Sequence, residues 1–154
     1  MTQLSHSESI LIAASPDAVY DLVSDVTRTG EWSPVCKECW WDEGATGTVG
    51  DVFTGRNVLP DRTWETRCTV THAERGKEFG WIVGDSLVRW VYSMEPAQTG
   101  TRLTESWAFL PNGIALFRDR FGDDADAQIA NRTDLARRGI SQTLLTMKGM
   151  LEGS

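Results

Sequence analysis

The spacing of apolar positions along the chain changes period three times, and each change marks a different kind of element. Residues 8–14 form a short apolar run that suits a strand. Ser15-Pro16 then supplies an N-cap followed by proline at the first helical position. Val19, Leu22, Val23 and Val26 recur at i, i+3, i+4 and i+7, with Asp17 and Asp21 early, where the helix dipole favours negative charge. The pattern predicts a helix that ends near Thr27 and, from Arg28 to Pro34, a short second helical turn broken by Gly30. From Val35 to Leu110 the chain is rich in Val, Thr, Trp, Tyr and Phe, punctuated by Gly, Asp, Asn and Pro, which predicts an antiparallel meander. Six strands are expected there, at 35–42, 50–58, 63–73, 78–83, 87–95 and 101–110, making seven with the first. After Phe121-Gly122, the residues Ile129, Thr133, Ala136, Ile140, Leu144, Met147 and Leu151 follow steps of three and four. They predict a long amphipathic helix, with Asp123, Asp124 and Asp126 at its start and Lys148 near its end.

Composition narrows the class. A chain of 154 residues with 40% hydrophobic content can bury one core, and no linker-like stretch divides it, so residues 1–154 are read as a single α+β domain. The net charge of -7 argues against a phosphate-binding surface, so neither nucleic acid nor anionic membrane is an expected partner. Residues 1–9 are polar and no apolar run approaches the ~20 residues of a membrane span, which makes a cytoplasmic location the expectation. Cys36, Cys39 and Cys68 are an odd number without an export signal and are expected to be reduced thiols.

The usual catalytic signatures find little to work with. Cys36-Lys37-Glu38-Cys39 has CxxC spacing, but it lies in a predicted strand with no second cysteine pair, against zinc or thioredoxin-like chemistry. His6 and His72 are isolated, so a serine or cysteine triad has no evident base. The glycines of residues 44–50 have no following lysine or helix start and read as a hairpin rather than a phosphate loop. Neither a metal nor a cofactor is expected.

A strand, two short helices, six strands and a long terminal helix resemble the helix-grip order of the START-like, Bet v 1-like (SRPBCC) superfamily. The segment from Ile10 to Pro34, which ends Glu31-Trp32-Ser33-Pro34, is similar to its bacterial polyketide cyclase/dehydrase-type members. Arg89-Trp90-Val91-Tyr92 and Gly100-Thr101-Arg102-Leu103-Thr104-Glu105 are similar to the same group. The resemblance implies a curved seven-stranded antiparallel sheet wrapped around the C-terminal helix, with a cavity between them. It names no reaction.

Alternation selects the side chains that could line such a cavity, because residues two apart in a strand share a face. One face carries Trp64, Cys68 and Val70; Phe79, Trp81 and Val83; Val88, Trp90, Tyr92 and Met94; and Leu103, Trp107 and Phe109. The other carries Glu65, Arg67, Thr69, Arg89, Arg102 and Thr104, as a solvated side should. The candidate ligand-binding set is therefore Trp64, Cys68, Phe79, Trp81, Trp90, Tyr92, Met94, Trp107 and Phe109, faced by Ile140 and Leu144 of the helix. Glu105 interrupts the apolar face: it either lies at a wet rim or in a structural pair, or it is desolvated with a raised pKa suited to proton transfer. Tyr92 could orient a ligand carbonyl, and the two residues are the catalytic candidates. Residues 111–122, with Ile114, Leu116, Phe117 and Phe121, read as either a surface connection or a lid. Gly139, mid-helix, costs about 1 kcal/mol relative to alanine and calls for close packing on the sheet or a bend that leaves room.

Three functions fit these residues. The first is binding of a small hydrophobic molecule, a lipid or a polyketide-like aromatic. The second is a cyclase or dehydratase acting on such a molecule. The third is a protein-interaction module of the Hsp90-activator kind, using the outer sheet surface; a homodimer is also left open.

Overall fold

The computed structural model describes residues 4–153. Its order is β1 (Ser5–Ile12), α1 (Pro16–Val23), a 3-10 turn (Val26–Glu31), β2 (Cys36–Trp41), β3 (Val52–Leu59), β4 (Arg62–Glu74), β5 (Glu78–Val83), β6 (Val88–Ala97), β7 (Gly100–Phe109), α2 (Pro111–Phe121) and α3 (Ala125–Glu152). The seven strands form one antiparallel sheet in the order β1-β7-β6-β5-β4-β3-β2, so the first strand closes the meander against the last. The fold is the α+β helix grip expected from the sequence.

Local chemistry explains where the boundaries fall. The Ser15 hydroxyl accepts from the Ala18 amide at 3.1 Å and Pro16 opens α1, as the Ser-Pro pair predicts. The predicted helix to Thr27 is shorter in the structure, because the Asp25 carboxylate accepts from the Thr27 amide and starts a separate 3-10 turn. β1 begins earlier than the apolar run at residues 8–14, since Ser5 already pairs with Ala108. Most of the segment 111–122, read as a surface connection or a lid, is a helix, α2. Pro111 opens α2, and its docking requires Gly113, where a Cβ would lie 2.3 Å from the Leu87 carbonyl oxygen. The 44–50 segment is tied down by its own acid, as the Asp51 carboxylate accepts from the Thr46 and Thr48 amides at 2.7 and 3.0 Å.

Cross-strand register turns the concave face into rows. Ile10, Leu103 and Met94 form one row; Glu8, Glu105, Tyr92 and Phe79 the next; His6, Trp107, Trp90 and Trp81 a third; and Phe109, Val88 and Val83 a fourth. The first row and Phe79 are sealed by α1 and the C-terminal half of α3: Phe79, Leu103, Ile140 and Met147 are 0% exposed, and Tyr20 meets Phe79 edge to face at 6.1 Å. That end is the packed core. The outer face is polar as predicted, with Arg67 paired to Asp42 at 2.7 Å and Arg56 between Glu38 and Glu65.

Candidate functional site

Beyond the Tyr92–Glu105 row the interior is not filled. A cavity of about 600 Å³ runs from there under α2 and the N-terminal half of α3. The vacancy follows from a mismatch in side-chain size. The sheet presents indoles, whereas α3 turns Ala136, Gly139 and Thr143 towards them. Gly139 neither packs tightly on the sheet nor breaks the helix: a Cβ there would meet only Pro34, at 3.7 Å, and α3 is continuous.

The walls are a connected aromatic chain. Phe53 meets Trp81 at 5.4 Å between ring centroids, Trp81 stacks on Trp90 at 6.4 Å and 24°, Trp90 reaches Trp107 at 6.5 Å, and Phe109 meets Phe117 of α2 at 5.1 Å. Of the residues selected from the sequence, Trp64, Cys68, Trp81, Trp90, Tyr92, Trp107, Phe109 and Glu105 line the cavity. Phe79, Met94, Ile140 and Leu144 do not. They share the concave side but lie at the sealed end, in the core. Period-two alternation assigns a face, not a position along it.

Several wall residues were not anticipated. Trp32 follows the 3-10 turn, Phe53 comes from β3 and Arg132 from α3, whereas Phe117 of α2 belongs to the segment read as a surface connection or a lid. Arg62 could have been found, because it is in phase with Trp64 on β4. Its guanidinium lies 4.5 Å from the Trp64 ring, and its Nε is buried without a partner. Arg132 sits over Phe117 at 5.3 Å, and burial followed by repulsion from Arg62 depresses its pKa. Together the two arginines put positive charge beside apolar rings.

Glu105 is the chemically distinctive group. It is 4% exposed, so it does not lie at a wet rim; it sits on the cavity floor opposite Tyr92 on β6 and Glu8 on β1. Burial pushes its carboxyl up to about 8, with help from the Glu8 charge and against the opposing influence of the neighbouring Tyr92 hydroxyl. Glu8 goes the other way: its carboxylate pairs with His6 Nε2 at 2.7 Å, accepts from the Ser141 hydroxyl at 2.7 Å, and is held below the usual range. Of the two facing acids, Glu105 therefore keeps the proton at neutral pH. Its Oε1 has no hydrogen-bond partner, a costly state for a buried polar atom unless something else satisfies it. Burial also raises the Tyr92 hydroxyl well above its ordinary value, so Tyr92 stays a neutral donor.

A shallower depression of about 440 Å³ lies on the outer face, lined by Ser5, Ser7, Arg89, Ser106 and neighbours. Among the described residues no helix is long and apolar enough to cross a membrane.

Comparison with known proteins places the chain. A polyketide-cyclase-like protein of Corynebacterium glutamicum, known from a solution NMR structure, is 54% identical, with 98% of this chain and 93% of that one covered and a TM-score of 0.74. The di-domain ARO/CYC StfQ of the steffimycin biosynthetic pathway matches 97% of this chain over 51% of its own length, at 14% identity and a TM-score of 0.71. A Mycobacterium smegmatis protein matches at 15% identity and a TM-score of 0.68, covering 98% of this chain and 92% of its own. The last two likenesses show the fold alone. No curated protein matches by sequence. The family model described as polyketide cyclase / dehydrase and lipid transport matches residues 3–139, and the chain belongs to that family.

Proposed function

We propose that this protein binds a small hydrophobic molecule, preferably a flat aromatic of the polyketide kind, in the cavity between sheet and α3. The observation that carries the reading is the cavity of about 600 Å³, large enough for such a ligand and walled by rigid indoles. Family membership supports a ligand-binding or cyclase role. Burial of apolar ligand area at ~25 cal/mol per Å² supplies the driving force. Arg62 and Arg132 favour ligands with an electron-rich or anionic end, and Glu105 with Tyr92 offers hydrogen bonds to a carbonyl or hydroxyl at the other. The open cavity, rather than the outer sheet face, is what distinguishes this reading from a protein-interaction module. Native mass spectrometry of protein isolated from its own host tests it: a retained small apolar adduct is expected. A bare chain that also shows no tryptophan quenching with polyaromatics or fatty acids would overturn it.

A specific observation favours catalysis on the same ligand. A carboxylic acid held near pKa 8, with one oxygen unpartnered, can donate a proton to a departing hydroxyl and, once ionised, take one from an acidic carbon. That is the proton traffic of an aldol-type ring closure followed by loss of water. Tyr92 would hold the ligand carbonyl. Glu105→Gln keeps the shape and one donor but cannot exchange the proton. It is expected to bind the ligand with unchanged affinity and to lose turnover; full turnover would remove Glu105 from the chemistry.

A further inference from the structure

Residues three apart in a regular strand point to opposite faces of the sheet. Cys36 and Cys39 do not, because the β2–β3 register shifts between Cys36 and Glu38: Cys36 opposes Asn57 while Glu38 opposes Arg56, leaving Lys37 as an extra residue. That bulge returns Cys39 to the face of Cys36, and the two sulfurs lie 3.3 Å apart on the cavity wall. The surrounding chain is shaped around the bulge. Gly30 of the 3-10 turn lies so close that a Cβ on it would come 2.2 Å from the Lys37 carbonyl oxygen. Across the ladder, Gly55 leaves the sulfurs their space, since a Cβ there would stand 3.1 and 3.2 Å from them. Both thiols are half-buried, whereas Cys68 is enclosed.

We infer that Cys36 and Cys39 form an oxidisable dithiol in the cavity wall, which closes to an intramolecular disulfide by exchange with a low-molecular-weight disulfide. The two sulfurs have different roles. The hydrogen bond from Cys36 lowers the Cys39 thiol below its usual range and raises Cys36, so Cys39 is the attacking thiolate. It attacks one sulfur of the small disulfide, forming a mixed disulfide and expelling a small thiolate, which takes up the proton Cys39 gave up. Cys36 then loses its proton and attacks the Cys39 sulfur, forming the internal S–S bond and expelling the second small thiolate, which takes up that proton. Two electrons pass from the cysteine pair to the small disulfide. The sulfurs need to close only from 3.3 Å to roughly 2.05 Å. Cys68 is excluded from the exchange, since its burial pushes the thiol up to about 12.

The test needs no ligand and is independent of what the cavity takes. The reduced full chain is equilibrated with oxidised glutathione at rising ratios to reduced glutathione, quenched with acid, alkylated in denaturant so that the enclosed Cys68 also reacts, and analysed by intact mass and peptide mapping. The expected product has lost about 2 Da before alkylation, carries one alkyl group on Cys68, and yields a linked Cys36–Cys39 peptide. Cys36→Ser is expected to stop at a stable glutathione adduct on Cys39, and Cys68→Ser to leave closure untouched. Three alkylated cysteines at every ratio, or only mixed disulfides or cross-linked dimers in the unsubstituted chain, would overturn the inference.

Discussion

Replacing Glu105 by glutamine tests the electrostatics of the cavity floor without changing its shape. In the unfolded chain this carboxyl titrates near its ordinary 4.5, and in the folded one near 8, so the native state holds the extra proton between those values. Stability from this group is therefore complete below about pH 4.5, drains away as pH rises, and levels off above about 8. This is opposite in sign to the surface acids Asp21 and Glu8, whose lowered pKa values favour folding as pH rises. At about 1.4 kcal/mol per pKa unit, the loss between pH 5.5 and 8.5 comes to about 3 kcal/mol for the unsubstituted protein and none at that position for Glu105→Gln. Urea unfolding followed by tryptophan fluorescence at half-unit pH steps reads the difference directly. The two stability curves are expected to diverge with pH, the variant becoming the more stable protein at pH 8.5. Parallel curves would show that Glu105 ionises normally in the folded state, and would remove the basis for its role as an acid.

Two other substitutions separate packing from vacancy. Gly139→Ala adds a methyl group that meets nothing closer than 3.7 Å and removes a mid-helix glycine, so it is expected to raise stability by about 1 kcal/mol; destabilisation in a denaturant titration would show that α3 packs more tightly than the structure shows. Phe79→Ala empties a fully enclosed site and is expected to cost roughly 3–5 kcal/mol. Trp90→Ala, beside the existing void, is expected to cost clearly less while weakening ligand binding; equal costs in chemical denaturation would contradict the assignment of Phe79 to core and Trp90 to cavity wall.

The sheet and α3 were legible because their signals are long and periodic. β4 to β7 alternate over many residues, and α3 repeats its apolar stripe from Ile129 to Leu151. α2 was hidden by Pro111, Gly113 and the charged run Arg118-Asp119-Arg120, which break a short pattern, and Leu110 gives it no side-chain cap. The aromatic face was readable from alternation, but not the division along it. Phe79 and Trp81 share a strand face, yet one is sealed by Tyr20 and α1 while the other opens on the void. The void itself depends on α3 presenting Ala136, Gly139 and Thr143 to the indoles of Trp64, Trp81, Trp90 and Trp107, residues far apart in sequence that no local pattern pairs. The meeting of Cys36 with Cys39 depends on a one-residue bulge, a backbone event that residue spacing alone does not announce.

The central claim is that an aromatic ligand enters between sheet and α3. It is tested most directly by titrating anthraquinone-2-carboxylate into ¹⁵N-labelled protein and following the seven indole N–H signals. Trp64, Trp81, Trp90 and Trp107, on the cavity wall, are expected to shift together with one dissociation constant, while Trp40, exposed beside Arg56, stays still. Movement of Trp40 alone, or no movement of any indole, would contradict it.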